Sequence, residues 1–123
     1  MILVDTSVWV DHFREADKDL DQLLLAGDVA CHPFILGELA CGGLRERDMI
    51  LALLAALPTA AKADDAEILA FIDRHRLMGK GIGLVDVHLL AACMLEGIEL
   101  WTHDKKLAAV AGQLGVAWVP KAR

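Results

Sequence analysis

Ile2-Leu3-Val4-Asp5-Thr6-Ser7 stands at the head of the chain: three consecutive apolar residues, then an acid, then two hydroxyl side chains. A continuous apolar run predicts a strand covered on both faces, as in parallel sheets. Asp5-Thr6-Ser7 supplies N-cap chemistry for a helix over Val8 to Arg14. Outward from this start the alternation recurs. Asp17 to Ala26 predicts a helix with Leu20, Leu23 and Leu24 on one face and Gly27 as its stop, and Val29-Ala30-Cys31 predicts a second strand. Pro33 opens a helix that runs to Cys41 and ends at Gly42-Gly43, and a fourth helix covers Glu46 to Leu57. Asp64 and Glu67 form a capping-box pattern ahead of a helix with Ile68, Leu69 and Ile72 on its inner face. Beyond a loop over Gly79 to Gly83, the pattern predicts a helix over Leu84 to Glu96 and a strand over Glu99 to Thr102. A helix over Lys105 to Ala111 and a last strand over Val116 to Val119 follow. The connection from Leu57 to Asp64 has room for one more short strand. This order predicts an α/β fold, a mainly parallel central sheet flanked by helices, in one domain over residues 1–123.

Composition narrows the function. AVILMFWYC residues make up 56% of the chain, and the 10 Gly raise this to roughly 64%, above the usual level of about 45–50%. A chain of 123 residues does not hide that much apolar surface inside a monomer, so an apolar interface is expected. The longest uninterrupted apolar run, Met49 to Leu57, falls short of the roughly 20 residues that span a bilayer. Met1 to Asp5 lacks the basic start of a signal peptide, and the expectation is a cytoplasmic protein with no membrane segment. Cys31, Cys41 and Cys93 are odd in number and widely spaced, so they read as small apolar core residues, with no disulfide framework or zinc site. With 18 acids against 12 Lys and Arg the formal charge is −6, which taken alone argues against a nucleic-acid partner.

The acids share an address. In open α/β sheets the functional crevice lies beyond the carboxyl ends of the strands. Asp5 directly follows the first strand and Asp104 stands just past a late one. Glu38 lies among Phe34, Ile35, Leu36, Leu39 and Ala40, where an unpaired buried carboxylate needs compensation. Asp86 shares a helical stripe with Leu89, Leu90 and Cys93 and so points along the buried face. Taken singly, Asp5, Asp86 and Asp104 equally suit helix N-termini, and Glu38 has an Arg partner as its lesser alternative. Converging on one rim, all four would repel unless a hard divalent cation such as Mg²⁺ or Mn²⁺ lay between them. Such an ion activates water and neutralises charge on a phosphodiester, so the chemistry expected is phosphodiester hydrolysis.

Four motifs in order carry a resemblance: Asp5-Thr6-Ser7 after the apolar strand, Gly37-Glu38-Leu39 in a helix, Asp86-Val87-His88-Leu89-Leu90-Ala91-Ala92 opening another, and Trp101-Thr102-His103-Asp104 after a late strand. Over essentially its whole length the chain resembles the PIN-domain ribonucleases, and more narrowly the small VapC-type toxins. The resemblance implies that Asp5, Glu38, Asp86 and Asp104 bind Mg²⁺ or Mn²⁺ and activate water for RNA cleavage. It implies that Thr6, Ser7 and Thr102 orient carboxylates or water. It also implies a cognate antitoxin, a homodimer, and an RNA substrate of the tRNA or rRNA class. Many relatives carry a second acid where this chain has Lys106; the departure bears on a second metal and leaves the main site intact.

An acidic protein still has to attract RNA. Arg74, Arg76 and Lys80 precede Asp86, and Lys105 and Lys106 follow Asp104, so these bases are expected to frame the pocket and hold flanking phosphates, or else to be a solvated helix face. Gly79-Lys80-Gly81-Ile82-Gly83 matches no phosphate-loop pattern and reads as a loop beside Asp86. The five histidines form no HExxH, and His88 and His103 suit substrate contact or surface and capping roles. Trp9, Trp101 and Trp118 are assigned to packing. Two other functions stand beside the nuclease: a response-regulator receiver, which would need a paired acid where only Asp5 stands, and a catalytically silent PIN-like binding module.

Overall fold

The computed structural model describes residues 1–121; the last two residues of the expected 1–123 unit lie outside the described part. The first strand, β1 (Ile2–Val4), is buried along its whole length and is the centre of the sheet. It pairs in parallel with β2 (Val29–Ala30) on one side and β3 (Glu99–Trp101) on the other, with Leu3 opposite Ala30 and Leu100. Single parallel bridges extend both edges, Thr59 beside Cys31 and Ala117 beside Leu100. The continuous apolar run at residues 2–4 is explained by this central position, since β1 has helices over both faces and strands on both sides.

Seven helices flank the sheet among the described residues: α1 (Thr6–Arg14), α2 (Lys18–Leu25), α3 (Pro33–Cys41), α4 (Arg47–Ala55), α5 (Asp65–His75), α6 (Leu84–Glu96) and α7 (Lys105–Gln113). The α/β class and the parallel sheet are as expected. The core is built from Leu3, Val4, Leu20, Ile35, Leu89, Leu90, Leu100 and Leu107, each almost completely hidden from solvent. α6 is its main pillar, with every residue from Val87 to Cys93 buried.

Several expectations are corrected. The strand expected over Val116 to Val119 is only the Ala117 bridge, held by Leu100 N–H to Val116 O at 2.7 Å and Trp118 N–H to Leu100 O at 2.9 Å. The next donor in that alternation is Pro120, which has no N–H, so the ladder ends. The possible strand between Leu57 and Asp64 is likewise reduced to the Thr59 bridge. Leu69, expected on an inner face, is exposed, because Ile68 and Ile72 already cover the contact of α5 with the core. Cys41 is exposed, while Cys31 and Cys93 are buried as expected. Trp9 and Trp101 are buried, and Trp118 packs its ring 4.8 Å from that of Trp101, in agreement with packing roles.

Candidate active site

The carboxyl ends of β1 and β3 and the N-terminal ends of α1, α6 and α7 meet on one rim. Asp5 occupies the N-cap position of α1 without capping it. Its Oδ2 accepts instead from the hydroxyls of Ser7 and Thr102, both at 2.7 Å, and these hydroxyls lie 3.3 Å apart. The Ser7 Oγ also accepts from His103 N–H at 3.0 Å, and Thr102 Oγ1 accepts from Asp104 N–H at 3.0 Å. Thr102 and Ser7 thereby knit β3 to β1 at the point where Asp5 emerges. From the neighbouring helix α3, Glu38 Oε1 accepts from the Thr6 hydroxyl at 2.7 Å. Asp104 caps α7 through Oδ1, which accepts from Leu107 N–H at 3.0 Å. Asp86, in the first turn of α6, accepts through Oδ2 from Gly83 N–H at 3.1 Å.

Each of these carboxylates therefore uses one oxygen for a protein donor. Among the described residues the other oxygen of each carries no hydrogen bond, and none of the four pairs with a basic side chain. Asp86 is where their fields meet. Half-buried, its carboxyl is pushed above the ordinary range by burial, pulled back by the Gly83 N–H, and pushed up again by the charges of Asp5, Asp104 and Glu38. Among the described residues no trio of His, Cys, Asp or Glu is drawn close enough to hold an ion as it stands. The donor set is nonetheless of the kind a hard cation takes: carboxylate oxygens only, unpaired with any basic side chain among the described residues, each carboxylate already oriented by a hydroxyl or backbone donor.

A PIN-domain family model matches residues 2–113. The chain belongs to the PIN-domain family. This PIN domain is 45% identical over 118 residues to Ribonuclease VapC32 of Mycobacterium tuberculosis, found in two strains, with 95% of each chain covered. Its fold is similar to that of PAE2754 from Pyrobaculum aerophilum, with a TM-score of 0.58 and 16% identity over 89% of this chain and 78% of that one. It is also similar to the structure of FitAB bound to an IR36 DNA fragment, with a TM-score of 0.60 and 21% identity over 95% of this chain and 92% of that one. Family membership sets aside the receiver reading.

The other expected residues of the PIN domain are less uniformly placed. Glu38, expected in an apolar helical setting, is exposed: α3 buries Ile35 and Leu39 and turns Glu38 toward the rim, with Thr6 rather than an Arg as its partner. Asp86 keeps its expected stripe, with Leu89, Leu90 and Cys93 fully buried. Lys106 lies over the 79–83 loop, its Nζ within 3.1 Å of where a Cβ on Gly81 would stand, and Gly81 is in the left-handed region at φ +78. Lys80 and Lys105 are exposed. Arg74, by contrast, lines an apolar groove between α5 and α6 with Phe71, Met94 and Leu95, and none of the four acids lines that groove. Two features escaped the sequence reading. Asp11 holds His103 through its ring Nδ1, and Arg14 and Arg45 line a cavity that adjoins Glu38. The helical spacing of Asp11 four residues after Ser7, and of Arg14 eight after Thr6, was the available signal.

Proposed function

We propose that this chain is the toxin of a toxin–antitoxin pair, an endoribonuclease that hydrolyses RNA phosphodiester bonds with Mg²⁺ or Mn²⁺. One observation carries the reading: Asp86 stands among Asp5, Asp104 and Glu38 with no basic partner. The 45% identity to a ribonuclease over nearly all of both chains supports it independently. Asp5, Glu38, Asp86 and Asp104 are the residues that would hold the ion. When bound, the ion supplies a water of lowered pKa and neutralises charge developing on the phosphodiester.

The protein's own groups do the orienting. Ser7 and Thr102 both donate to Oδ2 of Asp5, which fixes the carboxylate's orientation and leaves Oδ1 its lone pairs for a ligand. Thr6 does the same for Glu38 through Oε1. At the N-terminal ends of α6 and α7, Gly83 N–H orients Asp86 and Leu107 N–H orients Asp104. Lys80, Lys105 and Lys106 hold flanking phosphates, which is how an acidic protein retains an RNA strand. Exposed Leu25, Leu53, Leu69, Leu95 and Val119 give the cognate antitoxin and a homodimer apolar surface to cover. Sedimentation as a monomer at all concentrations would remove the homodimer. No helix among the described residues is long and apolar enough to cross a membrane.

The test is incubation of antitoxin-free protein with structured RNAs in Mg²⁺, Mn²⁺ or EDTA, alongside Asp5→Asn and Asp86→Asn. Cleavage is expected with either metal, none in EDTA, and a loss of roughly a hundredfold or more in each variant. Metal-independent cleavage, or full activity in both variants, sinks the mechanism; metal-replete protein that binds RNA and cuts none is the silent binding module.

A further inference from the structure

We infer that the cavity beside Glu38 seats a nucleotide flanking the cleaved bond, with Arg14 and Arg45 as its phosphate contacts. The inference rests on the ribonuclease reading above. The cavity has a volume of about 600 Å³, and Thr6 and Glu38, joined by their hydrogen bond, form its wall on the side of the acidic rim. Phe13, Leu44 and Ile50 give it an apolar lining, and Gly42-Gly43 lie at its edge. The combination suits single-stranded RNA, whose unstacked bases rest on apolar or aromatic side chains while Lys or Arg holds the backbone.

Charge decides which occupant fits. On a chain of net charge −6, an arginine with no acid opposite it is informative. Among the described residues Arg14 and Arg45 form no ion pair, although Glu46 also lines the cavity. Nearby Arg47 is committed elsewhere. Its guanidinium donates to Ala40 O from Nε at 3.4 Å and Nη2 at 3.0 Å and lies 3.8 Å from Asp48. That bond ties the end of α3 to the start of α4, so the turn carrying Arg45 is held, with Glu46 in the left-handed region at φ 50. Thr6, Val10 and Arg14 are spaced four apart along one face of α1, which puts Arg14 about 12 Å along the helix axis from Thr6. At that setback the arginine addresses a neighbouring phosphate rather than the one being cut.

The experiment uses a fluorescein-labelled, mixed-sequence single-stranded RNA and measures anisotropy over a salt series. An Asp86→Asn background prevents cleavage, with Arg14→Ala, Arg45→Ala, the double variant and Gly43→Glu introduced into it. Gly43 lines the cavity and has open space where a Cβ would stand, so the substitution adds negative charge there without a Cβ clash. Each arginine removed is expected to lower the salt slope by about 0.7 and weaken binding about fivefold at 0.1 M salt. Gly43→Glu is expected to weaken binding as well. With Asp86 restored, the arginine variants should raise KM on RNA and leave kcat unchanged. Unaltered affinity and slope in the double variant and in Gly43→Glu, with metal-dependent cleavage intact, would overturn the cavity assignment alone, and is the result a cavity for a protein segment would give. RNA neither bound nor cut by the wild-type protein would bring down this inference together with the ribonuclease reading.

Discussion

Asp5 occupies a helix N-cap position, yet its carboxylate is committed to the hydroxyls of Ser7 and Thr102. The choice between cap and site was open for this residue in the sequence, because Thr102 lies 97 positions away and only the fold brings it to 2.7 Å. Glu38 was legible as an acid in unusual company, but its direction was not; α3 turns it outward. His32 shows a residue whose role is structural. Its Nδ1 accepts from Phe34 N–H at 3.0 Å at the head of α3, and its Nε2 is buried with no partner among the described residues. Burial first, then the charges of His88 and Lys62, hold it at about 4, below the ordinary 6.5. A depressed histidine contributes stability that is present above pH 6.5, where both states are neutral, and is lost as the pH falls toward 4. Over that window denaturation should show stability falling by on the order of 3 kcal/mol from this group. His32→Asn, which keeps a capping acceptor and cannot titrate, should flatten that part of the pH profile; an unchanged slope would assign it to other groups.

At the scale of elements, local chemistry and tertiary context divide the work. The capping box of α5 was readable from four residues and forms as expected, with Glu67 N–H to Asp64 Oδ1 at 2.8 Å and Asp64 N–H to Glu67 Oε1 at 3.1 Å. Asp64→Ala should lower stability by about 1 kcal/mol in urea unfolding, and a loss near zero would mean that packing of Ile68 alone holds the helix end. The start of α2 was legible from its apolar face, and Asp17, expected as its first residue, is its N-cap, accepting from Asp19 and Leu20 N–H. The edges of the sheet were not. Thr59 and Ala117 each make one bridge because a strand's extent depends on how long its neighbour stays in register.

For the whole molecule, four carboxylates at one rim are a source of repulsion that a cation would relieve. Mg²⁺ or Mn²⁺ is therefore expected to raise the thermal stability of the wild-type protein. The gain should reach about 2.7 kcal/mol at a hundredfold excess over Kd. Asp86→Asn, lacking one proposed ligand, should show much less of that gain in the same scan; equal shifts in both proteins would place the binding elsewhere. The acidic balance, read from composition alone, argued against nucleic acid. In the folded chain Asp5, Glu38, Asp86 and Asp104 are at one rim, and the exposed surface also carries Arg14, Arg45 and Lys106.

The order of strands and helices, the buried run of β1 and the caps that start the helices were written in short-range patterns, since hydrophobic period and capping act over a few residues. Convergence of Asp5, Glu38, Asp86 and Asp104 on one rim could be expected only through the parallel topology and the family resemblance. Which oxygen of each carboxylate is tied and which remains open was decided by the tertiary structure. So were the direction of Glu38 and the cavity joining α1 to the turn before α4. The physical reason is distance along the chain: hydrogen bonds that link residues 6 to 38, 5 to 102 and 7 to 103 exist only after the sheet has closed.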